Sequence, residues 1–256
     1  MEILQITDPH LYGNAAGKLR GVETDLSLRN VLDDAFARVP NFSAVLVTGD
    51  LVQDDPSGYA RFRSIFGGLQ EPVLCIPGNH DDPDAMRSAL ENPPFHICGT
   101  HALGGWQFIM LDSYDPGHVG GRLAAAELAR LEEALGRSSA HAMVCLHHHP
   151  VAMRSRWLDN IGLANADEFW RILDAHRNVR AVVWGHVHQV YDGMRGSVRL
   201  IGTPSTCAQF LPGSDRYAVD SRPPAYRRFA LSAGGSIDTE VHWVDSLPLR
   251  QAAAAR

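Results

Sequence analysis

The sequence predicts an α/β layered fold, and two observations carry that prediction. Five short apolar runs, residues 3–6, 44–47, 73–76, 142–146 and 181–184, are rich in Val, Ile and Leu. They lack the alternation of a half-exposed strand, so they read as strands covered on both faces, as in a parallel sheet flanked by helices. Each run gives way to a polar cluster: Asp8-Pro9-His10, Gly49-Asp50, Gly78-Asn79-His80-Asp81, His147-His148-His149 and Gly185-His186-Val187-His188. Ligands gather beyond the carboxyl ends of such strands, so clusters far apart in sequence are expected to meet.

Helical patterns fill the gaps. From Thr24, an N-cap residue type, Leu28, Val31, Leu32, Ala35, Phe36 and Val39 recur at helical spacing until Pro40 stops the run. A second stretch carries Phe62, Ile65, Phe66 and Leu69, interrupted by Gly67 and Gly68. A third, residues 123–135, presents Leu128 and Leu131 on one face and expects Gly136 as its C-cap. A fourth, residues 165–176, places Asp167 and Glu168 in its first turn, where they complement the helix dipole. After His188 the pattern changes. Residues 189–191 and 198–201 flank a turn at 192–196, and residues 226–231 and 237–244 flank Ala233-Gly234-Gly235, which read as antiparallel pairs. A mixed sheet, or a second sheet packed on the first, is implied. Residues 212–224, with four Pro and Gly positions (Pro212, Gly213, Pro223, Pro224), read as a long irregular loop, and residues 251–256 as a frayed end. With no repeat and no interdomain linker, one domain over residues 1–245 and a short tail at 246–256 are expected.

The 256 residues, 45% apolar, are enough for one large core. A net charge of -6 with scattered basic residues argues against a nucleic-acid or anionic-membrane footprint. No uninterrupted apolar run approaches the roughly 20 residues needed to span a bilayer. A strand begins almost at once after Met1, without the basic segment and apolar stretch of a secretory signal. Cys75, Cys98, Cys145 and Cys207 form no C-x-x-C pair and read as reduced thiols of a cytoplasmic protein. Oligomeric state is not legible.

The polar clusters define the chemistry. Asp8 and His10 are two apart, so at the end of an extended strand their side chains point to one side, and His186 and His188 repeat the pattern. With Asp50, Asn79 and His147 they offer two carboxylates, one amide oxygen and four imidazoles, more than one divalent ion needs. If Asp50 bridges, seven residues give four donors to each of two metals, an arrangement suited to in-line displacement at phosphorus. All donors are nitrogen or oxygen, compatible with two ions drawn from Fe, Mn, Zn or Co.

In this order, Asp8-x-His10, Gly49-Asp50, Gly78-Asn79-His80-Asp81, His147 and Gly185-His186-x-His188 resemble the calcineurin-like metallophosphoesterases over roughly residues 1–245. The resemblance implies a four-layer αββα sandwich of two mixed β-sheets. It implies that Asp8, His10, Asp50 and His188 hold one metal, and that Asp50, Asn79, His147 and His186 hold the other. His80 corresponds to the family's leaving-group histidine, with Asp81 expected to orient it or raise its basicity through a hydrogen bond. Asn79, His80 and His188 are the expected substrate contacts. Pro9 departs from the small hydroxyl residue more usual between the aspartate and the histidine, and little effect on ligation is expected.

Within that family, His147-His148-His149-Pro150, then Trp157-Leu158-Asp159 and Asn165, then Gly185-His186-Val187-His188-Gln189 and Thr203-Pro204-Ser205-Thr206-Cys207 are similar to bacterial class III 3′,5′-cyclic-AMP phosphodiesterases. The opening residues 4–8 and Gly21-Val22 fit as well. The expected reaction is hydrolysis of the cyclic nucleotide to 5′-AMP by attack of a metal-bridging hydroxide, with His80 protonating the departing 3′-oxygen. A glycerophosphodiesterase or broad phosphodiesterase of the same fold shares these motifs, and a metalloprotein that binds nucleotide without cleaving it is the alternative from another class.

Other residues have plainer readings. Asp54, Asp55, Asp82 and Asp84 suit turns, caps or solvated charges, and Asp112 a structural hydrogen bond. His148 and His149 stand between a substrate contact and a loop role. Trp157, Asp159 and Asn165 are candidates to shape a nucleotide pocket, with core packing the competing role for Trp157, and Ser205 and Thr206 suit a turn.

Overall fold

The computed structural model describes residues 1–245; the tail expected at 246–256 lies outside the described residues. The chain begins with β1 (Glu2–Ile6), a small hairpin of β2 (Lys18–Leu19) and β3 (Val22–Glu23), α1 (Thr24–Arg38), β4 (Ala44–Thr48), α2 (Gly58–Phe66), β5 (Val73–Ile76), α3 (Pro83–Ala89) and β6 (Phe95–Ile97). It continues through β7 (Gly99–Leu103), β8 (Trp106–Met110), α4 (Ala125–Arg137), β9 (His141–Cys145), α5 (Arg156–Asp159), α6 (Ala166–Asp174) and β10 (Val179–Trp184). The last described elements are β11 (Tyr191–Arg195), β12 (Val198–Gly202), β13 (Gln209–Phe210), β14 (Val219–Asp220), β15 (Ala225–Leu231) and β16 (Ile237–Trp243).

Two six-stranded mixed sheets result, ordered β16-β15-β1-β4-β5-β6 and β11-β12-β10-β9-β8-β7. In the first, β1, β4, β5 and β6 are parallel, and β15 closes on β1 antiparallel. In the second, β8, β9, β10 and β12 are parallel, with β7 and β11 as antiparallel edges.

Period-two alternation assigns each side chain to a layer. Leu4, Ile6, Val45 and Val47 pack against helix residues such as Leu28, Val31 and Phe62. Ile3, Ala44, Leu46 and Ile76 point the other way and meet Phe108, Met110, Met143, Ala181 and Val183 of the second sheet. The outer face of that sheet, with Val144, Leu146 and Val182, is covered by Leu131, Leu135, Phe169 and Leu173. The order helix, sheet, sheet, helix is the αββα sandwich. It explains why the central strands are apolar on both faces.

Several boundaries differ from expectation. Thr24 is the first residue of α1, not its cap; Glu23 holds the cap position without a side-chain bond, and the Thr24 N–H donates to the Gly17 carbonyl at 3.1 Å. Helix α4 continues through Gly136 to Arg137, with Ser138 at the C-cap. The turn expected at 192–196 shrinks because residues 192–195 pair in register with β12, and the 212–224 loop contains β14, which pairs with β13.

Candidate metal centre

The loops that follow β1, β4, β5, β9 and β10 meet at one place. His188 Nε2 lies 3.3 Å from Asp8 Oδ1 and 3.2 Å from His10 Nε2. His147 Nε2 lies 3.4 Å from Asp50 Oδ2, 3.3 Å from Asn79 Oδ1 and 3.2 Å from His186 Nδ1. Asp50 Oδ2 is also 3.8 Å from His10 Nε2, so this carboxylate stands between the two halves. All seven residues singled out from the sequence are thus together, and all but Asn79 are buried.

The backbone achieves this by reversing. Asp8, His10, Asp50, His186 and His188 have φ of 52°, 48°, 50°, 64° and 47°. For residues with a Cβ this left-handed region costs about 1–2 kcal/mol each, and such strain concentrates at functional sites. The expectation that both two-residue pairs project from an extended strand is therefore corrected: β1 ends at Ile6 and β10 at Trp184, and the side chains turn inward from irregular backbone. The reversal also separates His186, which faces His147, from His188, which faces Asp8. Backbone bonds hold the turns, with His10 N–H donating to the Asp50 carbonyl at 2.9 Å and His186 N–H to the Asp8 carboxylate at 3.1 Å. Gly49 has φ +99°, and a Cβ there would lie 2.2 Å from His147 Nδ1, so no other residue fits.

Three histidines are locked by backbone carbonyls. His147 Nδ1 donates to Thr48 at 2.8 Å, His188 Nδ1 to Ala208 at 2.6 Å and His186 Nε2 to Ile161 at 3.0 Å. With one nitrogen donating, the other nitrogen of each neutral ring presents a lone pair to the cluster, among carboxylate and amide oxygens that also accept. Acceptors facing acceptors in a buried site require a positive partner. The residues fit divalent cations.

The electrostatics say the same. Burial alone would raise the Asp50 carboxyl, but the His147 imidazole outweighs it and holds Asp50 well below the usual carboxylate range. Burial likewise opposes charge on His147, yet the Asp50 carboxylate pushes it up to about 9, so that with no cation bound a proton on Nε2 takes the place between them that a metal would take. Asp8 is lowered because its histidine neighbours, His188 foremost, overcome burial. Burial lowers His10 to about 4 and His186 well below its ordinary value, so these rings keep their lone pairs.

His80 sits at the edge of the cluster, its ring 5.3 Å from that of His10. Its ligand-type atom also falls within 4.8 Å of those of His10 and Asp50. The expected Asp81 partner is corrected. Asp81 turns away and accepts from the N–H groups of Leu51, Val52 and Gly78 at 3.1, 3.2 and 2.9 Å and from the Tyr59 hydroxyl at 3.0 Å. Burial, reinforced by the Asp50 carboxylate, pushes it up to about 7. Its work is to tie the loop after β4 to the loop after β5. The carboxylate on His80 Nδ1 is Asp54, at 3.0 Å, and Gln53 Nε2 lies 2.9 Å from the same nitrogen.

His148 uses both nitrogens structurally, on Ser113 Oγ at 2.8 Å and the Val119 carbonyl at 3.2 Å. His149 is buried beside His186, the rings 5.8 Å apart. Asn165 clamps the Leu123 backbone, Asp159 accepts from the Met153 N–H, and Asp112 bonds Arg87 and Tyr114, so none of these reaches the cluster. Ser205 Oγ supports the Asp8 carbonyl at 2.7 Å, while buried Thr206 Oγ1 has no hydrogen-bond partner. Trp157 does line the cleft above the cluster, and so do Arg20, Phe210 and Tyr217, which sequence reasoning missed. The only signal for Tyr217 was its place in a segment read as loop, and Phe210 lies just before that segment.

The calcineurin-like phosphoesterase family model matches residues 1–190. The chain is similar to 3′,5′-cyclic adenosine monophosphate phosphodiesterase CpdA of Haemophilus influenzae, 38% identical over 244 residues that cover 94% of this chain and 89% of that protein. It is 35% identical to the protein of the same name from Pseudomonas aeruginosa, covering 96% and 90%, and 36% identical to that of Escherichia coli K12, covering 94% and 89%. Among solved structures, a dimetal phosphatase from Danio rerio shares the fold at a TM-score of 0.61 and 15% identity, over 95% of this chain and 99% of that one.

Proposed function

The chain belongs to the calcineurin-like phosphoesterases, and from that membership we propose that it hydrolyses 3′,5′-cyclic AMP to 5′-AMP as a metal-dependent phosphodiesterase. The observation that carries the reading is the buried convergence of histidine nitrogens and carboxylate oxygens, with His80 at its edge and held at Nδ1 by Asp54. Relatives alike over nine-tenths of the chain bear the name of that activity.

Asp8, His10, Asp50 and His188 would hold one divalent ion, and Asp50, Asn79, His147 and His186 the other. The all-nitrogen and oxygen donor set suits Fe, Mn, Zn or Co. When bound, the ions supply Lewis-acid charge to the phosphoryl oxygens and lower the pKa of water.

The chain's own residues do the rest. Asn79 directs its Oδ1 into the cluster, which leaves its amide N–H groups to donate to a phosphoryl oxygen as negative charge grows there. Asp54 accepts from His80 Nδ1–H and orients the ring, so that with both nitrogens protonated Nε2–H gives its proton to the departing 3′-oxygen and the ring is left neutral. An alkoxide is a poor leaving group, and this proton makes its departure feasible. His188 lines the cleft and flanks the bound phosphate. The four cysteines are free thiols, three of them buried, which suits a cytoplasmic enzyme, and no helix among the described residues is long and apolar enough to cross a membrane.

The test is a comparison of substrates on protein reloaded with manganese. Cyclic AMP is expected to disappear into 5′-AMP as the one nucleotide product, with glycerophosphocholine cleaved far more slowly. Cleavage of the glycerophosphodiester alone would replace the substrate while leaving the metal site in place.

A further inference from the structure

One wall of the cleft is built from aromatic rings that the metal cluster does not need. Phe210 stacks flat on His188, with centroids 4.2 Å apart and planes 10° from parallel, and so joins the wall to the floor. Trp157 meets Phe210 edge to face at 5.2 Å and Tyr217 at 5.3 Å, and Phe210 meets Tyr217 at 5.4 Å. The Arg20 guanidinium lies 4.8 Å from the centre of the Tyr217 ring.

Each ring is held from behind. Arg20 and Gly21, with φ of 50° and 87°, form the two-residue tip of the β2–β3 hairpin, the positive-φ turn that matches strand twist. Phe210 lies in β13, paired with β14, and Tyr217 lies in the loop between them. That loop is fastened to the segment leading to Trp157 by Ser155 Oγ, which donates to the Ser214 carbonyl, and by Arg156 with Asp215 at 3.4 Å. Even so, Tyr217 remains 43% exposed. A large ring held in place by a cation and two aromatic edges, yet left open to solvent beside an anion-binding floor, is a surface prepared for a second flat group.

We propose that Trp157, Tyr217 and Arg20 form the nucleobase subsite and that it holds the base by stacking. The proposal rests on the phosphodiesterase reading above. With the cyclic phosphate on the metal cluster, the base lies one ribose away, on the side where Phe210 carries the floor into the wall. Phe210 itself positions His188, and Trp157 and Tyr217 are the rings free to meet a base. Stacking reads the face of a base rather than its edge, so the wall supplies affinity for a base without reading its hydrogen-bonding groups.

The experiment is calorimetric titration of the metal-loaded protein with 5′-AMP and with ribose 5-phosphate, alongside cyclic AMP turnover. Wild type is expected to hold 5′-AMP about tenfold or more tighter than ribose 5-phosphate, the scale of one base stack. Trp157→Ala and Tyr217→Ala should each erase most of that preference and raise KM for cyclic AMP more than they change kcat, while Tyr217→Phe keeps both. Retained preference in both alanine variants, equal weakening of both ligands, or no preference in wild type overturns the subsite. Exposed Tyr217 makes its variant a fair test even if Trp157→Ala fails to fold. Base preference without cyclic AMP cleavage would refute the phosphodiesterase reading and leave the subsite standing; cleavage without base preference would do the reverse.

Discussion

His80 and Asp54 make the most direct residue-scale claim, because a positioned proton matters only when the leaving group needs one. His80→Ala should lower kcat on cyclic AMP by roughly 10²–10⁴-fold with metal content intact. Asp54→Asn should lower it by about tenfold, and both defects should shrink on bis(p-nitrophenyl) phosphate, whose leaving group departs without a proton. Equal defects on the two substrates, or metal loss in His80→Ala, would make His80 a structural or ligating residue. Asp50→Ala should remove both ions by elemental analysis, since Asp50 stands within 4 Å of both His147 and His10. Retention of two ions would end its bridging assignment. The seven clustered residues were legible because each follows a strand whose end is marked by loss of apolar character. Asp54 was not, because Asp81 is the chain neighbour of His80 and nothing in the sequence tells which way a carboxylate turns. The structure shows Asp81 spent on four donors, three from the loops after β4 and β5 and one from Tyr59 of α2.

At the scale of elements, the loops hold strained conformations and glycine makes room for them. Gly49→Ala would place a methyl 2.2 Å from His147 Nδ1 on a backbone of φ +99°. We expect it to lower stability by about 1–3 kcal/mol in urea unfolding and to cost metal and activity together. A wild-type metal content in this variant would show that His147 is placed by something other than the Gly49 turn. The strands that carry these loops were readable since their apolar character is continuous, being buried on both faces. Three other strands were not: β7 alternates half-buried and exposed residues through Gly99–Leu103, and β13 and β14 have two residues each, too short for periodicity to register. Tertiary packing, not local pattern, brings Phe210 of β13, Tyr217 of the loop after it and Trp157 of α5 into one wall.

For the whole molecule, the two sheets are joined by polar contacts as well as by the apolar layer. Gln5 of β1 donates to Thr48 Oγ1 at 2.9 Å and to the Trp184 carbonyl at 3.3 Å, and accepts from Thr203 Oγ1 at 2.5 Å. Arg227 of β15 donates to Thr203 Oγ1 at 2.9 Å and to the Gly202 carbonyl at 3.0 Å, and burial lowers it to about 10. Arg227→Met should destabilise the protein by about 1–3 kcal/mol through its orphaned acceptors, with kcat unchanged. An unchanged urea midpoint would show that the network adds nothing beyond packing. The α/β class was legible from the alternation of strands and helices. The closure of β15 onto β1 was not, because pairing across more than 220 residues leaves no local mark. The central claim, that this architecture assembles a two-metal site for cyclic-nucleotide hydrolysis, is tested most directly by phosphorus NMR of cyclic AMP with metal-stripped protein reloaded separately with Mn, Fe, Zn and Co. Metal-dependent appearance of 5′-AMP alone is expected; formation of 3′-AMP, or no cleavage with any ion, would overturn the assignment.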